Sequence, residues 1–112
     1  SVMDGLDSII GEFAECMKGG NAPNSEAAKA LAEKLQKYIT DNFYTCTKEI
    51  LSSLGQMYIF DERFTRNIDK HGVGTAEFVN KAIIEYCKRV LKWLYHERSE
   101  AATCYLFVYM LY

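Results

Sequence analysis

Sixteen residues in the middle of the chain, LGQMYIFDERFTRNID at 54–69, hold three aromatic rings, two arginines, three carboxylates and an asparagine. Acid–base chemistry needs carboxyl groups at a defined separation in environments that push their pKa values apart. Asp61 and Glu62 are neighbours at what reads as a helix start, where they diverge into solvent, so capping and a favourable first turn are the simpler use. Ser52 and Ser53 fall on different sides of a helix, and the two histidines, His71 and His96, lie far off in sequence, so no serine–histidine arrangement is visible. The four cysteines stand at 16, 46, 87 and 104, never in a C-x-x-C pair, and form no ligand cluster that zinc would require. Scattered thiols of this kind are expected to be buried and reduced. The expectation is a chain with no catalytic residue, no metal and no cofactor.

What is left is binding. The rings near the segment are Phe43, Tyr44, Tyr58, Phe60 and Phe64, and rings at helical spacing more often form a core than a ligand cage. Tyr44 and Phe60 nevertheless fall off the main apolar stripe. With Arg63, Arg66 and Asn67 close by, they could make an apolar cleft with a polar rim, the common anatomy of a small-molecule pocket. The alternative is a core with surface ion pairs, each contributing little. Gly55 sits inside the same stripe, where glycine costs about 1 kcal/mol relative to alanine. Close approach of another helix is the preferred explanation, and access of a ligand to the backbone is the second.

The elements that must position these residues are helical. Leu6, Ile9, Ile10, Phe13, Ala14 and Met17 make one amphipathic stripe, stopped by Gly19 and Gly20. Ser25 is a cap for a second helix, with Glu26 in its first turn and Ala28, Leu31, Leu35, Tyr38 and Ile39 on its buried face. A third stripe begins near Phe43 and runs through Cys46, Ile50, Leu51, Leu54, Met57 and Tyr58. Periodicity leaves open whether the chain bends between Thr40 and Asn42 or continues as one helix. Asp61 is a cap for a short helix with Phe64 and Ile68 on one side, closed by His71-Gly72-Val73-Gly74. Thr75 is the expected cap of the last helix, whose broad apolar face (Phe78, Val79, Ala82, Ile83, Tyr86, Cys87, Val90, Leu91, Leu94, Tyr95) predicts a central place. The end, TCYLFVYMLY, carries eight consecutive apolar residues, well short of the roughly 20 that span a bilayer.

The whole chain has 112 residues, one domain's worth, with 49% hydrophobic and 25% charged residues. One proline and the lack of period-two alternation predict an all-α fold, a compact single-domain helical bundle. The net charge of −2, with no basic stripe, argues against direct contact with nucleic acid. The first residues carry no basic region ahead of an apolar stretch, so a cytoplasmic location with no membrane partner is expected.

The residues also carry a resemblance. NFYTC at 42–46, then LGQMYIFDERFTRNID, a glycine-containing turn and a helix holding AIIEYCK at 82–88 resemble the TipAS antibiotic-recognition domain. That domain is the C-terminal effector half of the TipA type of MerR-family transcription activators. The resemblance covers most of residues 3–88, includes NSEAAK, and needs no gap between Ser25 and Asp69. It implies a globin-like arrangement without haem, whose cleft takes up bulky, largely apolar antibiotics such as thiopeptides, with an N-terminal segment that orders over the ligand. DNA contact then belongs to a helix-turn-helix domain absent from this chain. In the thiopeptide-binding prototype a cysteine before the MY pair adds to the antibiotic; here that place is Ser53, a poor nucleophile without a base, and Cys46 lies on the apolar stripe. Non-covalent binding is therefore expected, in a cleft lined by Tyr44, Gln56, Met57, Tyr58, Phe60 and Phe64. Arg63 and Asn67 would fix the segment or meet polar groups of the ligand, and Arg63 would pair locally with Asp61. Residues 1–88 form the ligand-binding domain on this view and residues 89–112 an extension of unknown role. The rival is a helical interaction module that forms a homodimer through the last helix and apolar tail.

Overall fold

The computed structural model describes residues 1–98, with side chains through Lys88. Five helices follow one another: α1 (Val2–Lys18), α2 (Glu26–Asn42), α3 (Lys48–Phe60), α4 (Glu62–Asp69) and α5 (Thr75–Arg98). Among the described residues there is no strand, as the all-α expectation requires. Helix α5 packs against each of the other four and is the central element. It runs through Lys88 without a break. Val90, Leu91, Leu94 and Tyr95 of its expected apolar face, and the tail on which a dimer would depend, lie outside the described side chains and residues.

Local sequence explains each boundary. Ser1 and Asp4 form a reciprocal capping box at the start of α1. Ser25 caps α2 through the Ala28 N–H, and Thr47 caps α3 through the Ile50 N–H. Asp61 caps α4 as expected, accepting from the Arg63 N–H at 3.0 Å. The chain does bend after α2: residues 43–47 are a link, in which the Cys46 N–H donates to Thr40 Oγ1 at 3.0 Å. Phe43 and Cys46 therefore precede α3 and are not the start of its stripe, because Thr47 takes the cap position. The start of α5 also differs from expectation. Thr75 Oγ1 donates to the Gly72 carbonyl at 2.6 Å, and the capping acceptor is Asp69, which receives the Ala76 N–H at 2.8 Å and the Gly74 N–H at 3.3 Å. Gly74, at φ +90°, has the left-handed conformation expected of this turn.

The core is formed by the predicted stripes. Phe13, Leu35, Leu51, Val79, Ile83 and Cys87 are almost wholly excluded from solvent, and burying a large apolar side chain contributes about 1.5–3 kcal/mol. Ala28 and Ala32 are also fully buried and let α2 lie close. At Gly55 the expected close approach is observed. A Cβ there would stand 2.7 Å from Asn80 Oδ1 and 3.3 Å from Ile83 Cδ1, so the missing side chain brings α3 against α5. No helix among the described residues is long and apolar enough to cross a membrane.

Candidate functional site

Helices α1, α3 and α4 and the end of α2 meet around two adjoining cavities of about 200 and 210 Å³. The first is lined by Met3, Leu6, Asp7 and Ile10 of α1, Tyr58 of α3, and Phe64, Asn67 and Ile68 of α4. The second shares Met3, Leu6, Tyr58 and Phe64 with it and adds Ile39, Phe43, Tyr44, Leu54 and Met57. Tyr58 and Phe64 belong to both linings, with ring centroids 6.1 Å apart and planes tilted by 42°, within the range at which aromatic pairs attract.

The opening segment serves as scaffold and wall together. Asp61 accepts from the Arg63 backbone N–H, from Nε at 3.3 Å and from Nη2 at 3.0 Å. These bonds hold the Asp61 carboxyl below its ordinary range. Thr65 Oγ1 donates to the Tyr58 carbonyl at 2.6 Å, closing the α3–α4 corner. With Asp69 capping α5, three polar residues of the segment fix the angle at which Phe64 meets Tyr58. Tyr58 is buried, and its hydroxyl is pushed up to about 12, first by burial and then by Tyr44 and Cys46 nearby.

Tyr44, Met57, Tyr58, Phe64 and Asn67 are thus brought together at the two cavities. Gln56, Phe60 and Arg63 are not part of either lining. Gln56 faces α5, its Nε2 lying 3.4 Å from Asn80 Oδ1. Phe60 is 73% exposed at the end of α3, and Arg63 turns to Asp61. Sequence reasoning missed the wall supplied by α1. Leu6 and Ile10 belong to the apolar stripe of α1, and Met3, one turn before Leu6, is the signal that the stripe continues outward past the core.

Ser53 lines neither cavity, and neither contains a cysteine. Cys46 and Cys87 are buried, and burial pushes both thiols above their ordinary range. Cys16 belongs to an open groove of about 780 Å³ between α1 and α2 that shares Asp7 with the first cavity and has Glu12, Glu15 and His71 among its other walls. Asp7 Oδ1 lies 2.9 Å from His71 Nε2, and Lys18 Nζ donates to the His71 carbonyl at 2.9 Å, so α1 is tied to the α4–α5 turn. No group of three His, Cys, Asp or Glu side chains among the described residues could hold a metal ion.

Residues 1–86 match the family of TipAS antibiotic-recognition domains. The HTH-type transcriptional activator mta of Bacillus subtilis (strain 168) is 39% identical over 87 residues, 78% of this chain and 33% of the relative. The HTH-type transcriptional activator TipA of Streptomyces coelicolor is 39% identical over 83 residues, 74% of this chain and 33% of the relative; its counterpart from Streptomyces lividans gives the same figures. The match thus spans about a third of the length of these relatives. Among solved structures, TipAS of Streptomyces lividans in complex with nosiheptide, described as part of a thiopeptide antibiotic multidrug resistance system, is similar with a TM-score of 0.71 and 38% identity. The alignment covers 78% of this chain and 61% of that one. By the extent of the sequence match and the agreement of the helical fold, this chain belongs to the TipAS antibiotic-recognition domain family.

Proposed function

We infer that the chain is the ligand-sensing effector domain of a MerR-family transcription activator and binds bulky, largely apolar antibiotics of the thiopeptide kind. The observation that carries this reading is the pair of adjoining cavities that share Tyr58 and Phe64, ringed by half-exposed aromatic and methionine side chains. Exposed apolar surface of this kind is costly to leave in water and gains from an apolar occupant. Binding is non-covalent, since among the described residues neither a thiol nor Ser53 lines either cavity. Tyr44, Met57, Tyr58, Phe64 and Asn67 contact the ligand. Gln56, Phe60 and Arg63 act on the frame of the site. Residues 1–88 carry the binding, residues 89–112 are an extension, and DNA is contacted by a separate helix-turn-helix domain in the cytoplasm.

The test is a thermal-shift and calorimetric titration of the chain with nosiheptide and other thiopeptides. A ligand specific for the folded form raises the melting temperature with concentration, and burial of apolar surface gives a negative heat-capacity change. A folded chain whose melting point no thiopeptide moves would remove this assignment.

A further inference from the structure

The charge distribution of the two cavities is one-sided. Among the described residues no lysine or arginine lines either cavity, although Arg63 and Arg66 share α4 with Phe64 and Asn67. Among the described residues the single charged side chain in the two linings is Asp7. It stands where the first cavity meets the open groove between α1 and α2, and 69% of its side chain is exposed. Beside aliphatic side chains and Asn67, the wall holds the rings of Phe43, Tyr44, Tyr58 and Phe64 and the thioethers of Met3 and Met57. Aromatic faces carry the negative end of a quadrupole and attract cations, most strongly where water is excluded. An anion entering the same space would meet those rings and a carboxylate, with no guanidinium or ammonium among the described residues of the wall to receive it.

We propose that the cleft selects lipophilic monocations over neutral and anionic compounds of the same shape, with Asp7 at its mouth as the specificity-determining residue. The inference rests on the cleft being the ligand site and adds the charge class of the preferred ligand. His71 is the group that faces Asp7, from the α4–α5 turn, and Lys18 binds the carbonyl of that same histidine. A cation at the mouth joins His71 at the Asp7 carboxylate, whereas an anion opposes it.

Three probes of similar shape separate the charge from the apolar contribution: tetraphenylphosphonium, triphenylphosphine oxide and tetraphenylborate, titrated calorimetrically into the full chain. The phosphonium is expected to bind about tenfold more tightly than the borate, the size of effect that a partly exposed carboxylate and ring faces give together. In Asp7→Asn, which keeps an acceptor for His71, that ratio is expected to fall below about threefold while the affinity for the neutral oxide is unchanged. Glu77→Gln on α5 makes the same change in net charge at an exposed site paired with Lys81 and away from the cavities, and it should leave the ratio as it was.

Equal affinities for cation and anion, or a preference that survives in Asp7→Asn or is lost equally in Glu77→Gln, would overturn the proposal. Nosiheptide binding without any phosphonium preference overturns it and leaves the cleft standing. Failure of nosiheptide and of all three probes to bind removes both.

Discussion

Phe64 and Tyr58 both line the two cavities, but they stand differently toward solvent, and that difference decides which can report on ligand binding. Phe64 is 37% exposed and Tyr58 is buried. Phe64→Ala is expected to weaken antibiotic binding at least tenfold while costing about 1–2 kcal/mol of stability, since more than a third of its surface already lies in water. Tyr58→Ala leaves a core cavity, and its stability loss of about 3–5 kcal/mol would mask any effect on the site. Chemical denaturation beside calorimetry checks this; equal losses of binding and stability in Phe64→Ala would place that ring in the frame alone. Tyr58 also predicts an alkaline limit. Its pKa rises from 10 to about 12 on folding, so between these values the unfolded chain has lost a proton that the folded chain keeps. Stability is then full below pH 10 and falls as pH rises toward 12, by about 2–3 kcal/mol from this group. Tyr86 is raised too, so the measurement is the difference in alkaline stability between the native chain and Tyr58→Phe. An identical decline in both would mean that Tyr58 ionises in the folded state as freely as in the unfolded one.

At the scale of the elements, Gly55 is the tightest point between α3 and α5. Alanine there would gain about 1 kcal/mol of helix propensity, yet its Cβ meets Asn80 Oδ1 and Ile83. Overpacking of this kind costs about 1–3 kcal/mol, so Gly55→Ala is expected to destabilise. Asn80→Ala removes the nearest obstacle, and in that background the same change should cost far less, a positive coupling in a double-mutant cycle. Additive losses would show that Asn80 yields and that the backbone takes the strain. The helices, Gly55 as a packing glycine and the caps at Ser25 and Asp61 were legible because their signals are local: a period, a turn residue, an acceptor three positions ahead. The cap of α5 was not, since Asp69 reaches Ala76 across a seven-residue turn that no fixed spacing specifies. The orientation of Gln56 is not legible for a related reason: it is next to Met57 and Tyr58 in sequence, but successive helical residues point about a third of a turn apart, and Gln56 turns toward Asn80.

For the whole molecule the decisive feature is which helix forms the removable wall of the cleft. The cavities are about 200 and 210 Å³, each smaller than the ~300–1,000 Å³ of drug-sized pockets. If the chain binds a bulky antibiotic as proposed, one side is expected to give way. Helices α3 and α4 are locked to each other by Thr65 and to α5 by Asp69 and the contact at Gly55. The first turns of α1 are held by less. Val2 and Met3 are exposed, the Tyr38 hydroxyl donates to the Val2 carbonyl at 2.6 Å, and Asp7 meets His71. From Ile9 onward α1 is anchored by Ile9, Ile10, Phe13 and Ala14 in the core. Periodicity identified that stripe but gave no sign that Met3, Leu6 and Ile10 face space shared with Phe64, about sixty positions away, because whether a stripe residue meets a filled or an empty neighbour is a tertiary property. The expected motion is an outward swing of α1 about its buried half, with the ligand taking the place of Met3 and Leu6. Hydrogen exchange with and without saturating nosiheptide checks this: amides of residues 5–10 should change protection, while those of α3 and of residues 75–87 in α5 change only by the overall gain in stability. Tyr38→Phe, which removes the tie to Val2 at a cost of about 1 kcal/mol, should speed association without lengthening the bound lifetime. Protection in α1 unaltered at saturation would mean that the wall stays in place and that the antibiotic enters by another face.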